Sequence, residues 1–229
     1  MSYLVLSNGT VFEGKRIGAP IDRIGELVFT TGMEGYLETL TDPSYYGQIV
    51  TQTFPLIGNY GVIEEDFEGS SALFGYIVRE LCDTPSNFRS AYPLGDYLVA
   101  RGIPGLCGVD TREIVRITRE EGVMNAMICD EIPQDLSAVR AFTVKDAVDS
   151  VTENRKEFWP AEGPERCRVA MMTTAPSTTS YAACRSAAVR SRSGPPAPRR
   201  KPSSPPIRTA SCFPTVRAIP RRIRPASRS

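Results

Sequence analysis

Histidine is absent from all 229 residues. That excludes zinc sites built on imidazole, Ser-His-Asp triads and Cys-His dyads from this chain. No apolar run approaches the ~18 residues of a membrane-spanning helix, and the opening MSYLVLSNGT lacks the pattern of a secretory signal. The six cysteines, Cys82, Cys107, Cys129, Cys167, Cys184 and Cys212, form no Cys-x-x-Cys pair or other zinc-like spacing. They read as small core residues of a protein in a reducing, cytoplasmic setting. No Gly-rich dinucleotide fingerprint, phosphate-binding loop or His-Glu-x-x-His element is present. No metal site is expected.

Acidic residues are also missing from one end. The last is Glu165, and the 57 residues from Thr173 to Ser229 hold 11 Arg, 1 Lys and 10 Pro with no Asp or Glu. The formal net charge of +1 therefore combines −11 over residues 1–172 with +12 over residues 173–229. Such asymmetry usually marks an arm that grips nucleic-acid phosphates. This tail, however, has one Tyr and one Phe and none of the aromatic–basic interleaving that stacks bases. Its composition carries no fold signal, so residues 173–229 are expected to be a disordered Pro/Arg-rich tail that binds neither nucleic acid nor membrane.

The chain is organised around Thr41–Gly61, TDPSYYGQIVTQTFPLIGNYG, where two Pro, three Gly and three Tyr surround one β-branched run. Gln48–Thr53 reads as a strand. Asp42-Pro43-Ser44 before it reads as a turn, and Pro55–Gly61 after it as a loop. Rigid polar loops at both ends suit the holding of a small polar ligand. Upstream, Asn8-Gly9 between short apolar runs predicts a hairpin of Tyr3–Leu6 with Val11–Glu13. Lys15–Arg23 reads as a loop, Gly25–Thr30 as a strand and Gly35–Leu40 as a short helix. Downstream, strands are expected at Ala72–Arg79, Ile103–Val109 and Val123–Cys129, and a helix at Pro93–Arg101.

Asp110-Thr111-Arg112-Glu113 is a capping box that opens a helix to Glu121, closed by Gly122. Arg112, Arg116 and Arg119 share one face of it, as a plain solvated stripe or as a docking surface for a partner. A further helix is expected over Ser137–Val151. The fold class is mixed α/β: one domain over residues 1–152, then a polar linker over 153–167. Many short strands and irregular turns argue against a doubly wound sheet.

LVLSNGTVFEGKRIGAP, GELVFTTGMEGYLETLTDPSYYGQIVTQTFPLIGNYG, PSNFRS, IPGLCGVDTREIVR and EEGVMNAMI together resemble the small subunit of glutamine-dependent carbamoyl phosphate synthetase, over about residues 3–172. The resemblance implies a β/β/α swivelling-type N-terminal domain. It also implies a second domain, a class I glutamine amidotransferase with a Cys-His-Glu triad. That domain releases ammonia for a large synthetase subunit, which uses ATP and Mg to make carbamoyl phosphate for arginine and pyrimidine synthesis. Within the TDPSY motif, the serine that contributes to glutamine binding at the domain boundary is Ser44.

The resemblance breaks after Met172. Arg168–Met172 looks like the first strand of the amidotransferase domain, which in the family continues Asp-Tyr-Gly-x-Lys-x-Asn-Ile. Here Thr173-Thr174-Ala175-Pro176 follows. Back-translated with one G restored after the Met172 codon, the tail permits D-Y-G-A-K-Y-N-I-V at once, and L-S-N-G-P-G-D-P across Cys212–Pro220. Both are landmarks of that domain. The expectation is a one-base deletion, which also accounts for the Arg, Pro, Ala and Ser of the tail. A chain read this way has no catalytic residues of its own, because it stops short of the nucleophile and contains no His.

Overall fold

The computed structural model describes residues 1–152 in full and, beyond them, the backbone of three short strands. In chain order the elements are β1 (Ser2–Leu6), β2 (Val11–Gly18), β3 (Arg23–Thr30), α1 (Tyr36–Thr41), a 3₁₀ turn (Pro43–Tyr45), β4 (Gln48–Gln52) and β5 (Leu56–Ile57). A second 3₁₀ turn (Glu64–Asp66) precedes β6 (Gly75–Ile77), β7 (Glu80–Leu81), α2 (Leu94–Ala100), β8 (Pro104–Cys107) and α3 (Thr111–Glu121). The rest are β9 (Met124–Cys129), α4 (Ser137–Ala141), α5 (Ala147–Val151), β10 (Phe158–Trp159), β11 (Cys167–Met171) and β12 (Val189–Ser193).

Seven strands close into a barrel in the order β1-β2-β8-β6-β4-β3-β9. The hairpin set by Asn8-Gly9 pairs β1 with β2, Leu4 opposite Phe12. β8, β6, β4 and β3 run parallel to one another, and β9 closes the ring by pairing antiparallel with β3 and β1. Closure leaves the barrel no open edge. Because strand side chains alternate, one register sends Leu4, Leu6, Leu27, Ile49, Ile77, Leu106, Ala126 and Ile128 inward. There is no room for a side chain at Gly75, where a Cβ would lie 2.7 Å from Ile128 Cδ1. The outward set, Val50 and Tyr76 among it, packs under α1, α2 and the 57–63 loop through Leu37, Leu40, Ile57, Val62, Leu94 and Leu98.

The two ends of the barrel are closed differently. At the end where β1, β4, β6 and β8 finish, α3 lays Ile114 and Ile117 onto the inner cluster. At the other end the plug is polar: Arg16 reaches Asp130 at 2.7 Å, Asp22 at 3.0 Å and the Ile21 carbonyl at 2.7 Å, while Ser2 donates to Asp130. That Ser2 hydrogen bond, followed by Arg16, holds the Asp130 carboxyl below its ordinary range.

Several elements depart from what the sequence suggests. β2 continues to Gly18, because Lys15–Gly18 pair with Pro104–Cys107 of β8, a partner about ninety residues away. β6 is only three residues long. The helix expected over Ser137–Val151 is two helices separated at Phe142, whose carbonyl accepts from the Asn125 side chain. Its ring packs against Phe74. The linker 153–167 and the tail 173–229 lie largely outside the described residues. β10, β12 and β11 form a three-stranded sheet in that order, and β12 falls within the tail for which no element is expected.

Candidate functional site

The Ser44 loop is held from within. Asp42 ends α1 and accepts the Ser44 backbone N–H at 2.8 Å, and the N–H groups of Tyr45 and Tyr46 close on Asp42 and Pro43 carbonyls, both at 3.2 Å. Pro43 is buried and fixes φ, so the turn is set before any ligand arrives. Tyr45 sinks into the outer core, where burial first and Asp42 second raise its phenol. Ser44 is left exposed at the tip, and its hydroxyl has no hydrogen-bond partner among the described residues. Gly47 ends the loop at φ 80°, and a Cβ there would stand 2.7 Å from Val144. The segment between α4 and α5, on its way to the C-terminal part of the chain, therefore passes three residues from Ser44.

The loop at the far end of β4 is built differently. Tyr60 stacks on Tyr36 with centroids 4.0 Å apart, accepts the Tyr36 N–H at 3.1 Å, and lies beside Gly61, whose carbonyl accepts the Tyr36 hydroxyl at 2.7 Å. Burial drives the Tyr36, Tyr60 and Tyr76 phenols upward. These groups lock the start of α1 to the Pro55–Gly61 loop. The sequence reading takes both loops as one ligand clamp. They stand instead at opposite ends of β4, about 16 Å apart at strand rise; the Ser44 loop presents its hydroxyl and the other loop the exposed Asn59.

The arginine stripe sits on α3, across the barrel from the start of β4. Arg116 is spoken for: it binds Glu113 through two nitrogens and Glu120 at 2.7 Å. Arg119 lies over the Phe29 ring at 5.4 Å. Arg112 is exposed, with no ion-pair partner among the described residues. Two of the three are thus engaged within the domain. The structure does not bring Ser44 and the stripe together.

None of the described thiols has the environment of an activated nucleophile. Burial pushes Cys129 up to about 11 and also raises Cys107, the reverse of the depressed value that makes a thiolate at neutral pH. Cys82 donates to the Thr84 carbonyl at 3.2 Å. Among the described residues no group of three His, Cys, Asp or Glu side chains converges as a metal site would require, and no helix is long and apolar enough to cross a membrane.

Residues 4–128 match the family described as carbamoyl-phosphate synthase small chain, CPSase domain. The chain belongs to that family. It is 47% identical over 164 residues to the carbamoyl phosphate synthase small chain of Bacillus anthracis, covering 70% of this chain and 44% of that protein. The small chain of Clostridium perfringens is likewise 47% identical over 164 residues, 70% of this chain and 47% of its own length. The pyrimidine-specific small chain of Bacillus subtilis is 51% identical over 137 residues, 59% of this chain and 37% of that one. The chain thus spans less than half the length of these relatives. A solved peptidase M28 precursor from Shewanella amazonensis superposes with a TM-score of 0.33 at 8% identity, over 76% of this chain and 41% of that one, too low to bear on the fold.

Of the residues singled out by the sequence, Ser44 is an exposed hydroxyl on a rigid turn. The polar plug around Arg16 went unread. Its parts lie at Ser2, Arg16, Asp22 and Asp130, and only barrel closure joins them.

Proposed function

We propose that this chain is the docking domain of a carbamoyl phosphate synthetase small subunit and does not itself hydrolyse glutamine. It joins a large synthetase chain as a heterodimer in the cytoplasm. That partner, with ATP and Mg, makes carbamoyl phosphate for arginine and pyrimidine synthesis. The observation that carries this reading is the conjunction of a family match over residues 4–128 with a sequence that contains no His. Release of ammonia from glutamine through a thioester needs a cysteine nucleophile, a base to activate it and donors for the oxyanion. The histidine base is missing from these residues; Cys129 is buried, Cys82 is hydrogen-bonded, and the half-buried Cys107 thiol is raised rather than activated.

In the same reading the barrel with helices packed on its outer face is of the swivelling type. Ser44 is the glutamine contact this domain contributes, which fits its free hydroxyl and the passage of the onward chain beside Gly47. The tail from Thr173 is the out-of-frame product of a one-base deletion near the Met172 codon, and it grips neither nucleic acid nor membrane.

An assay of ammonia release from glutamine by the purified chain tests the reading. No turnover above the protein-free rate is expected; sustained turnover overturns it. Resequencing the coding DNA across the codons for Ala170–Thr174 tests the frame separately. An additional G makes the tail an artefact and the protein an ordinary full-length glutaminase subunit, which overturns the reading; a confirmed frame leaves a broken gene or a repurposed N-terminal domain.

A further inference from the structure

Phe88 is the most exposed large apolar side chain among the described residues, 96% accessible. It is not on a loose loop. Ser86 N–H donates to the Asn59 carbonyl at 3.0 Å, Asn87 Oδ1 accepts the Arg89 N–H at 2.9 Å, and the Ser90 N–H returns to the Asn87 carbonyl at 3.0 Å. Arg89 then ties the loop to the second 3₁₀ turn, reaching Glu65 at 2.9 Å and Asp66 at 2.8 Å. The loop is fastened on both sides of Phe88 while the ring itself faces solvent. The backbone that carries the ring is thus ordered before any partner arrives, which lowers the cost of seating it, and buried aromatic side chains dominate the energetics of protein interfaces.

Resting on the reading of this chain as a docking domain, we infer that Phe88 is the anchor by which it seats on the large synthetase chain, and that the arginine stripe of α3 is not. The surroundings state the chemistry of the socket. Glu64, Glu65 and Asp66 against the single Arg89 leave this rim net acidic, so the complementary surface is an apolar pocket edged with Lys or Arg. The α3 face offers less, since Arg116 is neutralised by its own helix and Arg119 lies on Phe29.

Binding of the full chain to the large synthetase chain of the same organism, by calorimetry, tests this with three proteins. Phe88→Ala weakens binding about 30-fold or more, the scale of an interface hot spot, and leaves Tm unchanged because the ring packs on nothing. Arg112→Glu combined with Arg119→Glu binds within about threefold of the parent. Full affinity for Phe88→Ala overturns the inference while leaving the docking reading intact. Absence of binding by the parent chain overturns both. If Phe88→Ala instead abolishes a concentration-dependent dimer of this chain in sedimentation and leaves the large-chain affinity intact, the ring is a self-association contact and the inference fails.

Discussion

Ser44 and Gly47, three residues apart, make opposite demands on the chain. Ser44 needs only a turn that holds it out, which Pro43 and the Asp42 carboxylate provide. Ser44→Ala should therefore leave Tm unchanged by thermal melt, and a loss of several degrees would show that the hydroxyl has a structural role. Gly47 adopts φ 80° against Val144. Gly47→Ala costs about 1–2 kcal/mol from the left-handed backbone alone, with displacement of Val144 on top, read as a lower denaturant midpoint. Tyr36→Phe leaves the buried Gly61 carbonyl without its donor and should cost about 1–3 kcal/mol in the same measurement. The raised phenols also set an alkaline limit. Their stability contribution is complete below the ordinary tyrosine value of 10.0 and falls as pH rises above it, because the unfolded chain ionises first. A plot of stability against pH that stays flat from 9 to 11 would contradict this. At this scale the Ser44 turn was legible, since Pro and Asx chemistry are local. The tyrosine lock was not, because it joins residues twenty-four apart through one ring stack.

At the scale of elements, α3 shows how far local rules reach. Asp110 accepts the N–H groups of Arg112 and Glu113, both at 3.1 Å, as the capping pattern predicts. The reciprocal half of the box does not form, because Arg116 takes both Glu113 oxygens. Asp110→Ala should cost about 1 kcal/mol, measured by thermal unfolding. The side-chain hydrogen bond from Arg116 holds the Glu113 carboxyl below its ordinary value of 4.5. Its contribution is therefore present above that value and is lost as pH falls through the lower folded one. The 137–151 region shows the converse. Its pattern was compatible with one helix, yet Phe142 turns aside to meet Phe74 and Val144 meets Gly47. Tertiary partners ended the helix where no Pro or Gly does. The sequence pattern likewise left the two loops flanking β4 free to act together, and only the length of the strand between them separates their roles.

For the whole molecule, the mixed α/β class and the strand-rich character of the domain were readable from short β-branched runs. Closure was not, since it depends on β1 meeting β9 with Tyr3 opposite Cys129. Closure also makes the barrel a cooperative unit: an inner cluster, an outer helix layer and a polar plug share the same seven strands. Ile114→Ala, which opens a hole under α3, should cost about 2–5 kcal/mol and shift the whole unfolding transition rather than melt one helix. The family was legible in dense motifs over residues 4–128, and these same motifs build the barrel. The role proposed for the chain in a complex rests on two observations at this scale, the family match over residues 4–128 and the lack of any His in these 229 residues. The direct measurement is carbamoyl phosphate formation by the large synthetase chain mixed with this chain, with ATP, Mg and bicarbonate, comparing glutamine with ammonium as nitrogen source. The account predicts product from ammonium and none above background from glutamine; glutamine-dependent product would contradict it.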